Sequence, residues 1–216
     1  MNMMRTPLDA SCFKHARSSV TNEFIMVLRG FIRIYELICK KGGRVINNEV
    51  KIRDRIFKYL QDVKITNAIV PFMFYRVNKE VDENKGRLDL KIERLMPYSN
   101  PKDYFSIECK RLDGNILSGK SGLNAKYVKE GINRYKQGKY TSYNGVNGMF
   151  GFIVANIDID ENVKYINAFL RKKERLSKVC IDDYFDESFM SAHGTKDSRK
   201  LVLYHLMFDF HKYIQR

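Results

Sequence analysis

Two stretches of the chain alternate between apolar and polar side chains without interruption, at residues 87–93 and 104–111. Successive side chains of a β-strand point to opposite faces of its sheet, so strict alternation is typical of a strand with one apolar face. The apolar faces are Leu88, Leu90 and Ile92 in the first stretch and Phe105, Ile107 and Cys109 in the second. The pattern predicts two neighbouring strands whose other faces carry polar side chains, among them Asp89, Glu108 and Lys110.

Two helices and a further strand are predicted before this pair. Apolar residues recur every three or four positions in 20–41, which is typical of a helix that buries one face, and Gly42-Gly43 ends it. A second helix is predicted over 47–60, with an asparagine cap and with Glu49 in its first turn. Residues 72–77 are rich in β-branched and aromatic side chains and predict a strand.

The second half of the chain alternates between helix and strand patterns. We predict a helix over 125–136, a strand buried on both faces over 148–157, a surface helix with a basic end over 160–178, and a last strand over 201–210. This order predicts an α/β fold, with a mixed central sheet flanked by helices and extra N-terminal helices.

Composition and charge limit which binding partners and which cellular compartment we expect for this protein. A net charge of +14 and a pI near 9.6 favour binding to a polyanion, and nucleic acid is the natural candidate. The cysteines form neither a zinc-type CxxC pair nor a dense disulfide framework, so we expect a reduced, cytoplasmic protein; they are Cys12, Cys39, Cys109 and Cys180. The longest apolar stretches are interrupted by charges, which predicts no membrane span.

Asp89, Glu108 and Lys110 are the residue types that phosphodiester hydrolysis needs. Mg²⁺ prefers hard oxygen ligands and keeps several waters, so one or two carboxylates on neighbouring strands are enough to hold it. Lys110 lies two residues beyond Glu108 and therefore on the same face of its strand, where its ammonium can polarise water or stabilise the phosphate. The pattern predicts a site for Mg²⁺ or Mn²⁺ with these three residues as its catalytic group.

An Asp on one strand followed by Glu-x-Lys on the next resembles the PD-(D/E)xK nuclease superfamily, which has a restriction-endonuclease-like fold. Here the motif is Asp89 followed by Glu108-Cys109-Lys110, with Leu88 in place of the proline. The resemblance covers residues 47–157 and extends to small bacterial members that act in defence against foreign DNA. It implies a single domain over 1–216, with a helical extension at 1–46 and a C-terminal helix and strand at 158–216.

The resemblance also implies roles for individual residues. Asp89 and Glu108 would be metal ligands, Lys110 the catalytic lysine, and Glu49 an additional acidic ligand from the preceding helix. Three polar positions of the helix at 125–136 would be accessory to the site, namely Glu130, Arg134 and Tyr135. The implied activity is hydrolysis of DNA by a magnesium-dependent endonuclease, alone, as a homodimer, or with a partner protein of a defence system.

Less specific interpretations stay open for each feature. Asp89, Glu108 and Lys110 can form cross-strand ion pairs on a solvated sheet face, and Glu49 can simply favour the helix dipole. Five lysines are candidate phosphate contacts or members of a solvated helix face, namely Lys120, Lys126, Lys129, Lys136 and Lys139. The alternative functions are a non-catalytic nucleic-acid-binding module and a subunit of a larger defence complex.

Overall fold

The computed structural model describes residues 11–83, 86–95, 103–116, 121–140, 145–197 and 199–215. Within these residues the strands form one seven-stranded sheet in the order β1-β2-β3-β4-β7-β6-β5. The strands are β1 (Tyr75–Glu83), β2 (Gly86–Arg94), β3 (Tyr104–Leu112), β4 (Val146–Ile153), β5 (Ser177–Lys178), β6 (Ser188–Gly194) and β7 (Lys200–Asp209). The β3–β4 and β4–β7 pairs are parallel and the other pairs are antiparallel, so the sheet is mixed, as predicted.

Helices precede the sheet and connect its strands. The first three are α1 (Ser11–Lys40), α2 (Glu49–Leu60) and α3 (Val63–Ala68), followed by a short 3-10 helix at Val70–Met73. Between β3 and β4 the chain forms α4 (Gly122–Lys126), a π-helical segment (Tyr127–Ile132) and α5 (Asn133–Lys136), here together called helix 122–136. After β4 come α6 (Ile159–Ala168) and 3-10 helices at Lys172–Glu174 and His211–Tyr213.

The helices cover both faces of the sheet. On one face, α1 and α2 pack against an aromatic core in which the rings of Phe24 and Phe105 lie 4.7 Å apart. On the other face, helix 122–136 and α6 pack against apolar side chains such as Met149 and Met207. The prediction of an α/β fold with a mixed sheet between helices and with N-terminal helices is therefore confirmed.

The polar face of β3 is not a solvated surface. Ser106, Glu108 and Lys110 are all buried, and Glu108 is only 1% exposed. The helix that follows β3 lies over this face, which a pattern of alternation alone does not show. The interpretation of these residues as exposed cross-strand ion pairs is therefore wrong for Glu108 and Lys110.

Several predicted boundaries differ from the structure. The strand expected at 72–77 begins at Tyr75, because Pro71 lies at the start of the 3-10 helix that contains Phe72. The strand expected at 148–157 ends at Ile153. The helix expected at 160–178 ends at Ala168, since the Asn167 side chain bonds both backbone groups of Leu176 and turns the chain back.

Strand β6 lies between the helix predicted at 160–178 and the strand predicted at 201–210, where no element was predicted. Its side chains Ser191 and His193 share one face with the apolar Phe189 and are buried although they are polar. The Ser191 hydroxyl forms hydrogen bonds of 2.7 Å each with His193 and with His205. A hydrophobic pattern does not reveal a strand in which polar side chains interrupt the buried face.

Two further expectations concern membranes and thiols. In the described part of the chain, none of the helices combines the length and apolar character that crossing a membrane requires. Cys39, Cys109 and Cys180 are free thiols, and Cys109 is a buried core residue, as its place on the apolar face of β3 predicted. The Cys12 side chain lies outside the described residues.

Candidate active site

Asp89 lies where β2 and β3 separate. Backbone pairing between these strands ends at Leu90 and Ile107, one residue before Asp89. The Asp89 carboxylate accepts a hydrogen bond from the backbone N–H of Cys109 at 2.8 Å. At this position the Asp89 side chain therefore replaces a backbone carbonyl of β2 as the acceptor. Its other oxygen accepts a hydrogen bond from Arg53 Nη1 at 2.7 Å. Asp89 is therefore held against the middle of β3 with a defined orientation.

Glu108 is the most buried carboxylate of the site. Its Oε1 lies 2.8 Å from Lys110 Nζ and 2.9 Å from Arg134 Nη1, and its Oε2 accepts a hydrogen bond from the Tyr140 hydroxyl at 2.9 Å. Burial, together with the negative charge of Asp89, raises the pKa of Glu108 to about 7, although Lys110 and Tyr140 oppose the shift. A cation close to this group would favour its ionised form.

The Lys110 ammonium lies at the centre of a group of oxygens. Its Nζ is 2.7 Å from the carbonyl of Cys109, 2.8 Å from Glu108, 3.1 Å from Glu49 and 3.9 Å from Asp89. Burial disfavours the charge, but the three carboxylates outweigh burial and raise the pKa of Lys110. Lys110 therefore stays protonated at neutral pH.

Glu49 reaches the same place from the start of α2. The helix begins there because the Asn48 side chain accepts hydrogen bonds from the backbone N–H groups of Val50 and Lys51. The Glu49 carboxylate accepts a hydrogen bond from Lys110 Nζ and another from the backbone N–H of Arg111 at 3.3 Å. The structure thus brings together the four predicted residues, which come from three different elements.

Arg53 is a member of the site that the sequence analysis missed. Its side chain is 2% exposed and bridges Asp89 and Glu80, with Nη2 3.0 Å from the Glu80 carboxylate. Glu80 has a φ of 54°, a conformation that is uncommon for a residue other than glycine. Arg53 follows Glu49 by four residues, and this helical spacing places both on one face of α2. That spacing is the signal from which Arg53 was predictable.

Tyr140 is the second residue that was missed. Its hydroxyl lies 2.9 Å from Glu108 Oε2, 3.0 Å from Arg134 Nη1 and 3.2 Å from the carbonyl of Arg87. It follows the turn at Gly138, whose φ of +67° ends the helix region. No spacing in the sequence relates Tyr140 to Glu108, because the chain returns to the site through an irregular segment.

The three accessory candidates occupy different places. Arg134 contacts Glu108 directly, and Glu130 is an exposed residue that lines the same surface cleft as Glu108. Tyr135 is buried on the same face of β3 as Glu108, where its hydroxyl accepts a hydrogen bond from Ser106 and donates one to the carbonyl of Gly148. It is a core residue that contacts β3 and β4 and is not among the residues that line the cleft beside Glu108.

The predicted phosphate-binding lysines are also divided. Lys139 lines the same cleft as Glu108 and Lys110. Lys136 instead forms an ion pair with Glu174 at 2.9 Å and lies at another part of the surface. Lys126 and Lys129 are exposed on helix 122–136. Lys120 lies outside the described residues. Of the four predicted phosphate-binding lysines that the structure describes, only Lys139 therefore lies at the candidate site.

The donor set fits a divalent cation through two of the carboxylates. Among the described residues, no three Asp, Glu, His or Cys side chains are arranged to hold a metal ion by themselves. Asp89 and Glu108 nevertheless approach the same cation, the Lys110 ammonium, at 3.9 and 2.8 Å. Since Mg²⁺ is usually held by one or two carboxylates together with water and phosphate oxygens, this pair is a sufficient protein ligand set.

These side chains surround a cleft of about 300 Å³, here called the candidate cleft. It is open between α2, β2 and helix 122–136, and it is lined by Glu49, Val50, Arg53, Gly86, Arg87, Asp89, Glu108, Lys110, Glu130, Arg134 and Lys139. The lining thus mixes four carboxylates with five cationic side chains. No protein-family profile, curated protein or solved structure matches this chain.

Proposed function

We propose that this chain is a metal-dependent endonuclease of the PD-(D/E)xK superfamily that hydrolyses DNA with Mg²⁺ or Mn²⁺. The observation that carries the proposal is the convergence of Asp89 and Glu108 on the Lys110 ammonium in one cleft. These residues come from two strands, and a solvated ion-pair network would not require a 1% exposed carboxylate between them. A defence role, a dimer or a partner protein stays a prediction.

Each side chain has a role that follows from its contacts. Asp89 and Glu108 would hold the Mg²⁺, which when bound lowers the pKa of water and neutralises charge on the phosphate. The carboxylates around Lys110 raise its pKa in the metal-free site, and its ammonium would polarise the attacking water or stabilise the negative charge that develops on the phosphate. Arg53 and Tyr140 position the two carboxylates through hydrogen bonds and need not touch the substrate.

The cations that line the candidate cleft favour an anionic substrate. Arg87, Arg134 and Lys139 are among its lining residues, the Arg87 side chain is 59% exposed, and Arg134 Nη1 lies 2.9 Å from Glu108. Without such cations, two ionised carboxylates would repel a phosphate group. These cations, together with the net charge of +14, favour a polyanion over a small neutral ligand.

One observation favours the second candidate function, a non-catalytic nucleic-acid-binding module. Both Glu108 oxygens already have protein partners, namely Lys110, Arg134 and Tyr140. Because protein groups already contact both oxygens, this carboxylate does not require a metal as a partner, which fits a binding module. The two functions differ in whether a divalent cation changes what the protein does to DNA.

Cleavage by the full chain distinguishes them. Supercoiled plasmid, linear duplex, single-stranded DNA and RNA are incubated with Mg²⁺, with Mn²⁺ or with EDTA. We expect metal-dependent cutting that Glu108→Ala and Lys110→Ala each reduce about a hundredfold or more, as removal of an electrostatic catalytic group does. Lys91→Ala is the matched control, because Lys91 is also a strand lysine paired with a carboxylate, Glu93, but lies outside the candidate cleft.

Two results would overturn the enzyme proposal. One is a folded wild-type protein that cuts none of the four substrates yet binds DNA equally well with Mg²⁺ and with EDTA, which supports the binding module. The other is cutting that survives in both Glu108→Ala and Lys110→Ala, which places any nuclease activity elsewhere.

A further inference from the structure

A second, larger cleft borders the C-terminal end of helix 122–136. Its volume is about 540 Å³, against about 300 Å³ for the candidate cleft. Its walls come from the end of helix 122–136, the 3-10 helix Lys172–Glu174 with the residue before it, and the turn between β6 and β7. We call it the basic cleft, after its cations Lys136, Arg171, Lys173 and Lys196.

Three of these cations lack a salt-bridge partner in the part of the chain that the structure describes. Arg171, Lys173 and Lys196 are exposed, and no described carboxylate is in salt-bridge contact with them. The nearby carboxylates are already engaged. Glu174 is 2.9 Å from Lys136, and Asp197, in the same turn as Lys196, is 3.0 Å from Arg199. The basic cleft therefore presents three positive charges on a concave surface, which concentrates the attraction for an anion.

The two clefts are joined by one helix. Glu130 and Arg134, four residues apart, line the candidate cleft, whereas Asn133 and Gln137, also four apart, line the basic cleft. Arg134 of the candidate cleft and Gln137 of the basic cleft are three residues apart, and residues at this spacing are neighbours on a helix surface. The two clefts therefore lie beside each other on the same helix.

We propose that the basic cleft binds the phosphodiester backbone of the nucleic acid beside the phosphate that enters the candidate cleft. The inference rests on the proposed function for the identity of its ligand. Contacts of this kind set the position of the strand without reading its sequence. The basic cleft would thus fix which phosphate enters the candidate cleft, and it would supply much of the salt-dependent affinity.

Binding without cleavage tests this inference separately from catalysis. A short fluorescein-labelled DNA duplex is titrated by fluorescence anisotropy in EDTA, at salt concentrations between about 50 and 200 mM. The basic-cleft variant carries Arg171→Gln, Lys173→Gln and Lys196→Gln. The control variant removes the same charge at exposed lysines outside both clefts, through Lys64→Gln, Lys164→Gln and Lys212→Gln.

We expect the basic-cleft variant to bind at least about tenfold more weakly than wild type. The slope of log K against log salt should become less steep by about 0.9 for each phosphate that the variant no longer neutralises, or nearly 3 for all three. The control variant should change the slope by less than about 0.9. All six positions are exposed, so unfolding is not expected, and circular dichroism checks it for both variants.

The outcomes separate the two proposals. Equal decreases in affinity for the basic-cleft and control variants would show that only the total charge matters, and wild-type affinity in the basic-cleft variant would assign the cleft to another anion. Either result overturns the inference. If the wild type cuts no substrate in Mg²⁺ but its binding depends on the basic cleft, the nuclease proposal fails while the inference stands.

Discussion

Replacing Glu108 by glutamine should stabilise the metal-free protein at alkaline pH while it removes cleavage. Glutamine has the size and most of the hydrogen-bonding capacity of a protonated glutamate, but it carries no charge. Burial, followed by the charge of Asp89, raises the pKa of Glu108 from 4.5 to about 7. At pH 8 the wild type must therefore keep a charge in an environment that favours the neutral form.

The sign and the size of the effect follow from this shift. The folded state binds the Glu108 proton more tightly than the unfolded state, so the free energy of unfolding of the wild type decreases as pH rises from 4.5 through 7. A shift of this size corresponds to about 3 kcal/mol in total. About 2.5 kcal/mol of it falls between about pH 5 and pH 8, and Glu108→Gln lacks this decrease.

Urea denaturation in EDTA at these two pH values measures the effect. The quantity to compare is the difference in unfolding free energy between Glu108→Gln and wild type, which should increase by about 2.5 kcal/mol from pH 5 to pH 8. Glu130→Gln is the control, because Glu130 lies at the same cleft but is exposed. A difference that is constant with pH, or one that Glu130→Gln reproduces, would refute the reasoning that burial of the Glu108 charge is costly.

Other consequences concern the groups that position the carboxylates. Arg53→Met leaves Asp89 without its buried partner and should lower the free energy of unfolding by about 3–5 kcal/mol in urea denaturation. Arg53→Lys should restore part of this stability, and a neutral effect of Arg53→Met would contradict the positioning role. Tyr140→Phe removes a hydrogen-bond donor to Glu108 and should lower the free energy of unfolding by about 1.5–3 kcal/mol at pH 8, but by less at pH 5, where Glu108 is protonated. Equal decreases at the two pH values would contradict a hydrogen bond to the ionised Glu108. Lys110→Met should abolish DNA cleavage while DNA binding in EDTA falls no more than about tenfold, and intact cleavage would exclude Lys110 from catalysis.

The alternating stretches at 87–93 and 104–111 show how much of the structure a local sequence pattern can predict. The period of a strand is two residues, so the positions of Glu108 and Lys110 on one face follow from covalent geometry alone. The cap at Asn48 likewise locates the start of α2, and with it Glu49. Features that depend on neighbours in the chain were therefore predictable, including the α/β class and the strands β1, β2, β3, β4 and β7 apart from their exact ends.

The other two strands carry no readable pattern. In strand β6 the polar side chains Ser191 and His193 follow Phe189 on one buried face, and β5 spans only Ser177–Lys178, so neither strand has an apolar period of useful length. The extent of the strand at Tyr75–Glu83 was also underestimated, since its second half is polar. Hydrophobic periodicity fails where hydrogen bonds, not apolar contacts, satisfy the buried face.

Some residues of the candidate site were predictable from the sequence, and others were found only in the structure. Asp89, Glu108 and Lys110 were predicted from their positions on two alternating strands, and Glu49 from the family resemblance. Arg53 and Tyr140 reach their partners across 36 and 32 residues of chain. Contacts over such separations depend on how α2 and the turn after helix 122–136 pack around the sheet. Sequence by itself determined which residue types alternate on β2 and β3, because strand geometry is local. Only the tertiary structure decided that Glu108 is buried and that its pKa is raised, because burial depends on elements that are distant in the chain.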